Sequence, residues 1–179
     1  MVSNVFMQCY LTEKNLGTLL KEIAPELTFI HDSTVPGANN KRRRPDYRCD
    51  SEMLIIEFDG DAHYCKAQRI VTDKEKDLDY INLGYTVFRI PYFIQITEGI
   101  IKKIFRKDIS FTQRYPHGFI DSKVVLPADF CELGIQRFLR DLDIFSEYKE
   151  GIIDSLTSKV KEKKDINLVL PPTLHSLFF

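Results

Sequence analysis

The fold class turns on residues 44–60: Arg44-Pro45-Asp46-Tyr47, a short polar link, then Met53-Leu54-Ile55-Ile56-Glu57-Phe58-Asp59-Gly60. Residues 53–58 are apolar and rich in strand formers, so they read as a strand. Residues 45–48 read as a shorter strand, joined to it by a polar turn at 49–52. Downstream, residues 73–83 (DKEKDLDYINL) have a helical pattern that carries Leu78 and Ile81, with Asp77 and Lys74 on alternating faces; Gly84 follows where a helix C′ glycine belongs. Residues 85–90 (YTVFRI) then alternate as a strand. Two strands joined through a helix require a crossover, which predicts an α/β core with a mixed sheet.

Working outward, residues 11–24 place Leu16, Leu19, Leu20 and Ile23 at helical spacing, with Thr12 as N-cap and Pro25 as terminator. Residues 27–31 read as a short strand, and residues 32–44 as a turn-rich loop ending in a basic run. Residues 94–107 read as an amphipathic helix with Lys102, Lys103, Arg106 and Lys107 on a basic face. Beyond Asp108 the expectation is a loop, one short strand at 123–126, helices at 133–142 and 145–160, and an apolar tail at 171–179. The expected organisation is a core over 1–107 flanked by helices and a mainly helical C-terminal extension over 108–179.

The chain has 179 residues, with 25 basic and 26 acidic side chains and a formal net charge of −1. Global charge therefore gives no sign of a nucleic-acid partner; only local clustering can. At 44% hydrophobic residues the chain has enough apolar surface to offset the entropy of ordering. No apolar stretch approaches the ~20 residues needed to span a bilayer. The start lacks a basic segment followed by a long apolar run, and Cys9, Cys49, Cys65 and Cys131 have no metal-type spacing. Reduced thiols in a cytoplasmic protein are the expectation.

Chemistry concentrates around the opening stretch. Side chains alternate along a strand, so Glu57 and Asp59 project to one side. An antiparallel neighbour brings Asp46 to the same edge. Three converging carboxylates repel one another unless a cation neutralises them, and hard divalent ions such as Mg²⁺ take carboxylate oxygens. His63, just past the glycine turn, is a candidate general acid or base. The plain alternative is that acidic residues close strands as turn caps, and Asp59-Gly60 is a common turn dipeptide. Against it, Glu57 directly follows Leu-Ile-Ile, where an unpaired charge is costly to bury. Lys41, Arg42, Arg43 and Arg44 immediately precede Asp46, and positive potential beside an acidic site suits a phosphate-backbone substrate.

Arg-Pro-Asp-Tyr, an apolar strand ending Glu57-Phe58-Asp59-Gly60, and His63 together resemble the PD-(D/E)xK nuclease superfamily, in particular its very-short-patch-repair-like endonuclease branch. Asp73 and Lys76 on the following helix, Gly84-Tyr85-x-Val87-x-Arg89 after it, and Glu13 on the first helix are similar to that branch as well. The resemblance covers residues 11–92. It implies a restriction-endonuclease-like fold and a Mg²⁺-dependent endodeoxyribonuclease acting on double-stranded DNA, with Mn²⁺ as a substitute ion. Asp46 would be the metal-binding aspartate, Glu57 the second acidic ligand, Asp59 a further ligand and Glu13 a helper, with Lys41, Arg42, Arg43, Arg44 and Lys76 on the nucleic acid. The chain departs from the broad pattern where the superfamily's lysine falls, at Asp59. His63, Lys66, Gln68 and Lys76 are the candidates to replace that lysine, His63 first among them.

A mismatch-nicking enzyme would be expected to carry a zinc site and intercalating aromatics. The chain has no Cys/His cluster and no tryptophan, which favours a small restriction-type or mobile-element endonuclease. Residues 108–179 would then serve dimerisation or target recognition, a homodimer being the simplest route to a double-strand cut. Two other classes stay open: a nucleic-acid-binding module that does not cleave, and a partner-binding protein using the tail's Leu174, Leu177, Phe178 and Phe179.

Overall fold

The protein was analysed as a computed structural model, which describes residues 11–177; Cys9, Phe178 and Phe179 fall outside that range. Helix α1 (Glu13–Ile23) is followed by strands β1 (Ile30–His31), β2 (Tyr47–Cys49) and β3 (Leu54–Asp59). Then come the one-turn helix α2 (Ala62–Cys65), α3 (Ala67–Asn82), β4 (Thr86–Pro91), α4 (Glu98–Phe105), α5 (Glu132–Ile144) and α6 (Lys149–Lys163). The four strands lie in the order β1-β2-β3-β4. β1–β2 and β2–β3 are antiparallel, and β3–β4 is parallel across the α3 crossover, with Glu57 opposite Arg89. The expected α/β class with a mixed sheet flanked by helices is what forms. No helix of the described residues is long and apolar enough to cross a membrane.

Local chemistry sets several boundaries. Thr12 caps α1 by accepting the Asn15 N–H at 3.2 Å, as its position implied. Thr97 does the same for α4 through the Ile100 N–H, so that helix starts at 98 rather than 94. Gly84 has φ +91°, the left-handed conformation that favours glycine, and it turns the chain from α3 into β4.

The sheet is buried on both faces. Tyr47, Cys49, Leu54, Ile56 and Ile90 join one large apolar cluster with Leu16 and Leu20 of α1 and Ile100 and Ile104 of α4. Phe138 and Leu142 of α5 and Ile152 and Leu156 of α6 belong to that same cluster, so residues on either side of position 107 share one core. On the opposite face Ile55 packs with Val35, Ala38, Tyr80 and Tyr85. Alternation along β3 therefore turns Ile55, Glu57 and Asp59 toward α3.

Three local expectations change. The strand expected at 123–126 does not form; Val124 and Val125 are half-buried, and the Val125 carbonyl accepts the Tyr92 hydroxyl at 2.6 Å instead of joining a ladder. α3 begins at Ala67, six residues before its expected start, with Lys66 as an N-cap that makes no side-chain capping bond. Most consequentially, α3 is inverted. Asp73 and Tyr80 are buried and Lys76 is half-buried against the sheet, while Leu78 and Ile81 face solvent.

Candidate active site

Asp46 stands just before β2, and its Oδ2 accepts the backbone N–H of Phe58 at 2.7 Å. That bond ties the aspartate to the strand carrying Glu57. Glu57 is 2% exposed. Its partner comes from α3: Lys76 Nζ lies 2.8 Å from Oε1 and 3.0 Å from Oε2. Oε1 lies outside hydrogen-bond alignment with the ammonium and accepts no hydrogen bond, and the nearby Tyr80 hydroxyl is likewise buried without one. Burial pushes Glu57 up to about 7 against the pull of the Lys76 and Arg89 charges. Burial also raises Asp46, with the Phe58 N–H pulling the other way and Glu13 adding like-charge repulsion. Asp46, Glu57, Glu13 and Lys76 thus sit within one another's fields at one end of β3, between α1 on one face and α3 on the other.

Asp59 and His63 occupy a different setting from the one expected. Asp59 was expected to turn to the same edge as Asp46 and Glu57, but its carboxylate is held by two arginines. Arg89 Nη1 donates to Oδ1 at 2.7 Å, and Arg137 Nη2 donates to Oδ2. His63 was expected as an accessible acid or base, yet it is 7% exposed, with Nδ1 2.6 Å from Asp73 Oδ2 and 3.2 Å from Asp59 Oδ1. Arg137 Nη1 closes the group on Asp73 at 2.7 Å. Burial works to raise Asp73, but the His63 hydrogen bond and the Arg89 charge outweigh it and hold the carboxyl far below its usual range. Asp59, His63 and Asp73 do bring three ligand atoms within 4.8 Å of one another. Two guanidinium groups already supply the positive charge there, so a cation would have to displace them. The group is best understood as a buried ion network.

Arg137 is the residue sequence reasoning missed. It lies on α5 with Gly134, Phe138 and Asp141, all buried on one helix face. A lone cation in an apolar helical stripe is the signal that could have pointed to a buried carboxylate partner. α5 approaches so closely that a Cβ on Gly134 would sit 1.8 Å from the Tyr64 carbonyl oxygen of α2.

The basic residues divide. Arg43 is bonded to Glu75, and Arg44 lies 3.6 Å from Asp32, whereas Lys41 and Arg42 are exposed and make no ion pair among the described residues. Lys102 and Lys103 pair with Asp108 and Glu147, which removes them as a free patch. Beside Asp46 a groove of about 670 Å³ runs between α1 and β1, lined by Glu13, Lys14, Lys21, Phe29, His31 and Tyr47 among others. His31 Nε2 lies 2.8 Å from Glu13 Oε1, and its ring lies 4.9 Å from that of Tyr47. His31, rather than His63, is the exposed imidazole joined to a carboxylate of this region.

No protein-family model, curated protein or solved structure matches this chain.

Proposed function

We propose that this protein is a metal-dependent DNA endonuclease of the PD-(D/E)xK kind on a restriction-endonuclease-like core, of the small restriction or mobile-element type. One observation carries the reading: Asp46, Glu57 and Lys76, from three separate segments, gather at the end of β3 as two acids and a lysine. The lysine arrives from α3 and supplies the charge that position 59 lacks. Asp46 and Glu57 would hold a divalent cation, Mg²⁺ by the hardness of their oxygens and Mn²⁺ as a substitute, with Glu13 adding negative potential. The donor set fits: both carboxyls are pushed up by burial, and Glu57 Oε1 is a buried acceptor without a hydrogen bond.

A cation bound there supplies Lewis-acid stabilisation of phosphate charge and a more acidic water. The protein's own groups set the rest. Lys76 Nζ offsets negative charge beside Glu57 and can orient a water oxygen toward phosphorus. As that oxygen bonds to phosphorus, the bond to the leaving sugar oxygen breaks and the leaving oxygen takes up a proton. Lys41 and Arg42 would hold the nucleic-acid backbone by charge.

A second reading, a nucleic-acid-binding module without cleavage, is favoured by the closeness of Lys76 to Glu57, since that ion pair already neutralises the carboxylate. Supercoiled plasmid incubated with and without Mg²⁺ separates the two. Relaxation or linearisation that needs the metal and is abolished by Glu57→Ala supports the nuclease. Retardation of DNA by both proteins without cutting supports the binding module.

A further inference from the structure

The inverted α3 has an outer face that solvent alone does not explain. Val71 is 41% exposed, Leu78 61% and Ile81 53%. At about 3.6 residues per turn the three fall within roughly a quarter of the helix circumference. On the opposite side of the same helix Asp73, Lys76 and Asp77 engage His63, Glu57 and Arg89. An amphipathic helix normally orients the other way, apolar side inward. The charges beneath are fixed by the ion network, so the apolar stripe is left for a partner.

The two charged residues within the stripe select that partner. Lys74 and Glu75 are both exposed, and Glu75 Oε2 is held in place by Arg43. We infer that the protein forms a two-fold symmetric dimer by packing α3 antiparallel against α3 of a second copy, with the axis between Lys74 and Glu75. In this register Lys74 of each copy faces Glu75 of the other, Val71 faces Leu78, and Ile81 lies over Gln68. A parallel pairing stacks Lys74 on Lys74 and Glu75 on Glu75. An antiparallel pairing centred on Leu78 leaves Lys74 opposite Asn82 and Glu75 opposite Ile81. Only the first arrangement covers the apolar residues and satisfies both charges, and its contacts are reciprocal, as a closed dimer requires. The helix has 16 residues and so runs about 24 Å. Its face falls short of the ~800 Å² per partner of a standard interface, which sets the association in the micromolar range.

Sedimentation velocity on the full chain, from low to high micromolar concentration, tests this directly. The wild type should pass from monomer to dimer, and Leu78→Asp should stay monomeric. Lys74→Glu should weaken association roughly tenfold, because symmetry applies the change twice. The double variant Lys74→Glu/Glu75→Lys should recover it. All three positions are exposed, so the fold is retained, and circular dichroism checks that it is. A wild type that remains monomeric throughout overturns the proposal. So does a dimer indifferent to Leu78→Asp, or a double variant as weak as the single one. None of these readings depends on DNA cleavage, so the dimer stands or falls separately from the nuclease.

Discussion

Lys76 Nζ lies 2.8 Å from Glu57 Oε1, although the two residues belong to different elements and are 19 positions apart. The ammonium takes its place from a helix, beside an acid fixed on a strand. If this pair anchors a metal-dependent site, Mg²⁺ should raise the unfolding temperature of the wild type. Ligand at 100 times its Kd adds about 2.7 kcal/mol of stability. Differential scanning fluorimetry should show that shift lost in Glu57→Ala. Lys76→Ala should keep the Mg²⁺ shift while lowering the cleavage rate by about two to three orders of magnitude.

Arg137 is 4% exposed and bonds both Asp59 and Asp73. Arg137→Met removes one of the two arginines from a buried acidic pair and should cost about 3–5 kcal/mol in urea unfolding. Arg140→Ala, on the exposed side of the same helix, should fall within about 0.5 kcal/mol of wild type.

Gly134 and Gly151 make a matched pair of opposite sign. A Cβ at 134 meets the Tyr64 carbonyl oxygen at 1.8 Å, whereas a Cβ at 151 meets nothing within 4 Å. Gly134→Ala must push α5 off α2 and should destabilise by at least about 1–3 kcal/mol. Gly151→Ala, in α6, should stabilise by up to about 1 kcal/mol through helix propensity. Thermal unfolding of the two variants reads both.

His117 makes stability depend on acid. Its Nδ1 accepts the Gln95 N–H at 3.0 Å, and its ring stacks on Tyr148 at 4.0 Å. Burial lowers its pKa to about 4, against the opposing charge of Glu147. The folded value lies below the unfolded one of about 6.5, so the contribution is complete above pH 6.5 and is lost as pH falls toward 4. Glu57 acts in the opposite sense: its folded value of about 7 exceeds the ordinary 4.5, so it penalises the fold as pH rises through that window. The difference between wild type and His117→Gln isolates the histidine. Urea unfolding from pH 7.5 to 4.5 should show a shallower loss in the variant.

What was legible in the sequence was local. The Thr12 hydroxyl, the spacing of Leu16, Leu19, Leu20 and Ile23, the apolar run at 53–58 and Gly84 each act on their own neighbourhood, and α1, β3 and the end of α3 stand where those signals place them. The inversion of α3 was not legible, because it depends on where Asp73, Lys76 and Asp77 find opposite charges. Two of those, on Glu57 and Arg89, lie on neighbouring strands; the third, Arg137, lies on a distant helix. Asp59 was taken as a metal ligand for the same reason. Its principal partner is 78 residues further along the chain, beyond the reach of periodicity or spacing. The association of Asp46 with Glu57 followed from the hairpin. Lys76 was one of several candidate cations until the crossover helix set it against the strand.

The parallel β3–α3–β4 unit spans residues 54–91 and holds Glu57, Asp59, Asp73, Lys76 and Arg89, while Arg137 comes from α5. A chain emerging from the ribosome therefore completes the acidic half of this unit well before the arginine that helps neutralise it. Until α5 is made, Asp59 and Asp73 lack one of their two guanidinium partners, and the inner face of α3 has no settled reason to point inward. The last third of the polypeptide thus acts as a timing device in biosynthesis, fixing the region around Glu57 and Lys76 only when synthesis is nearly finished.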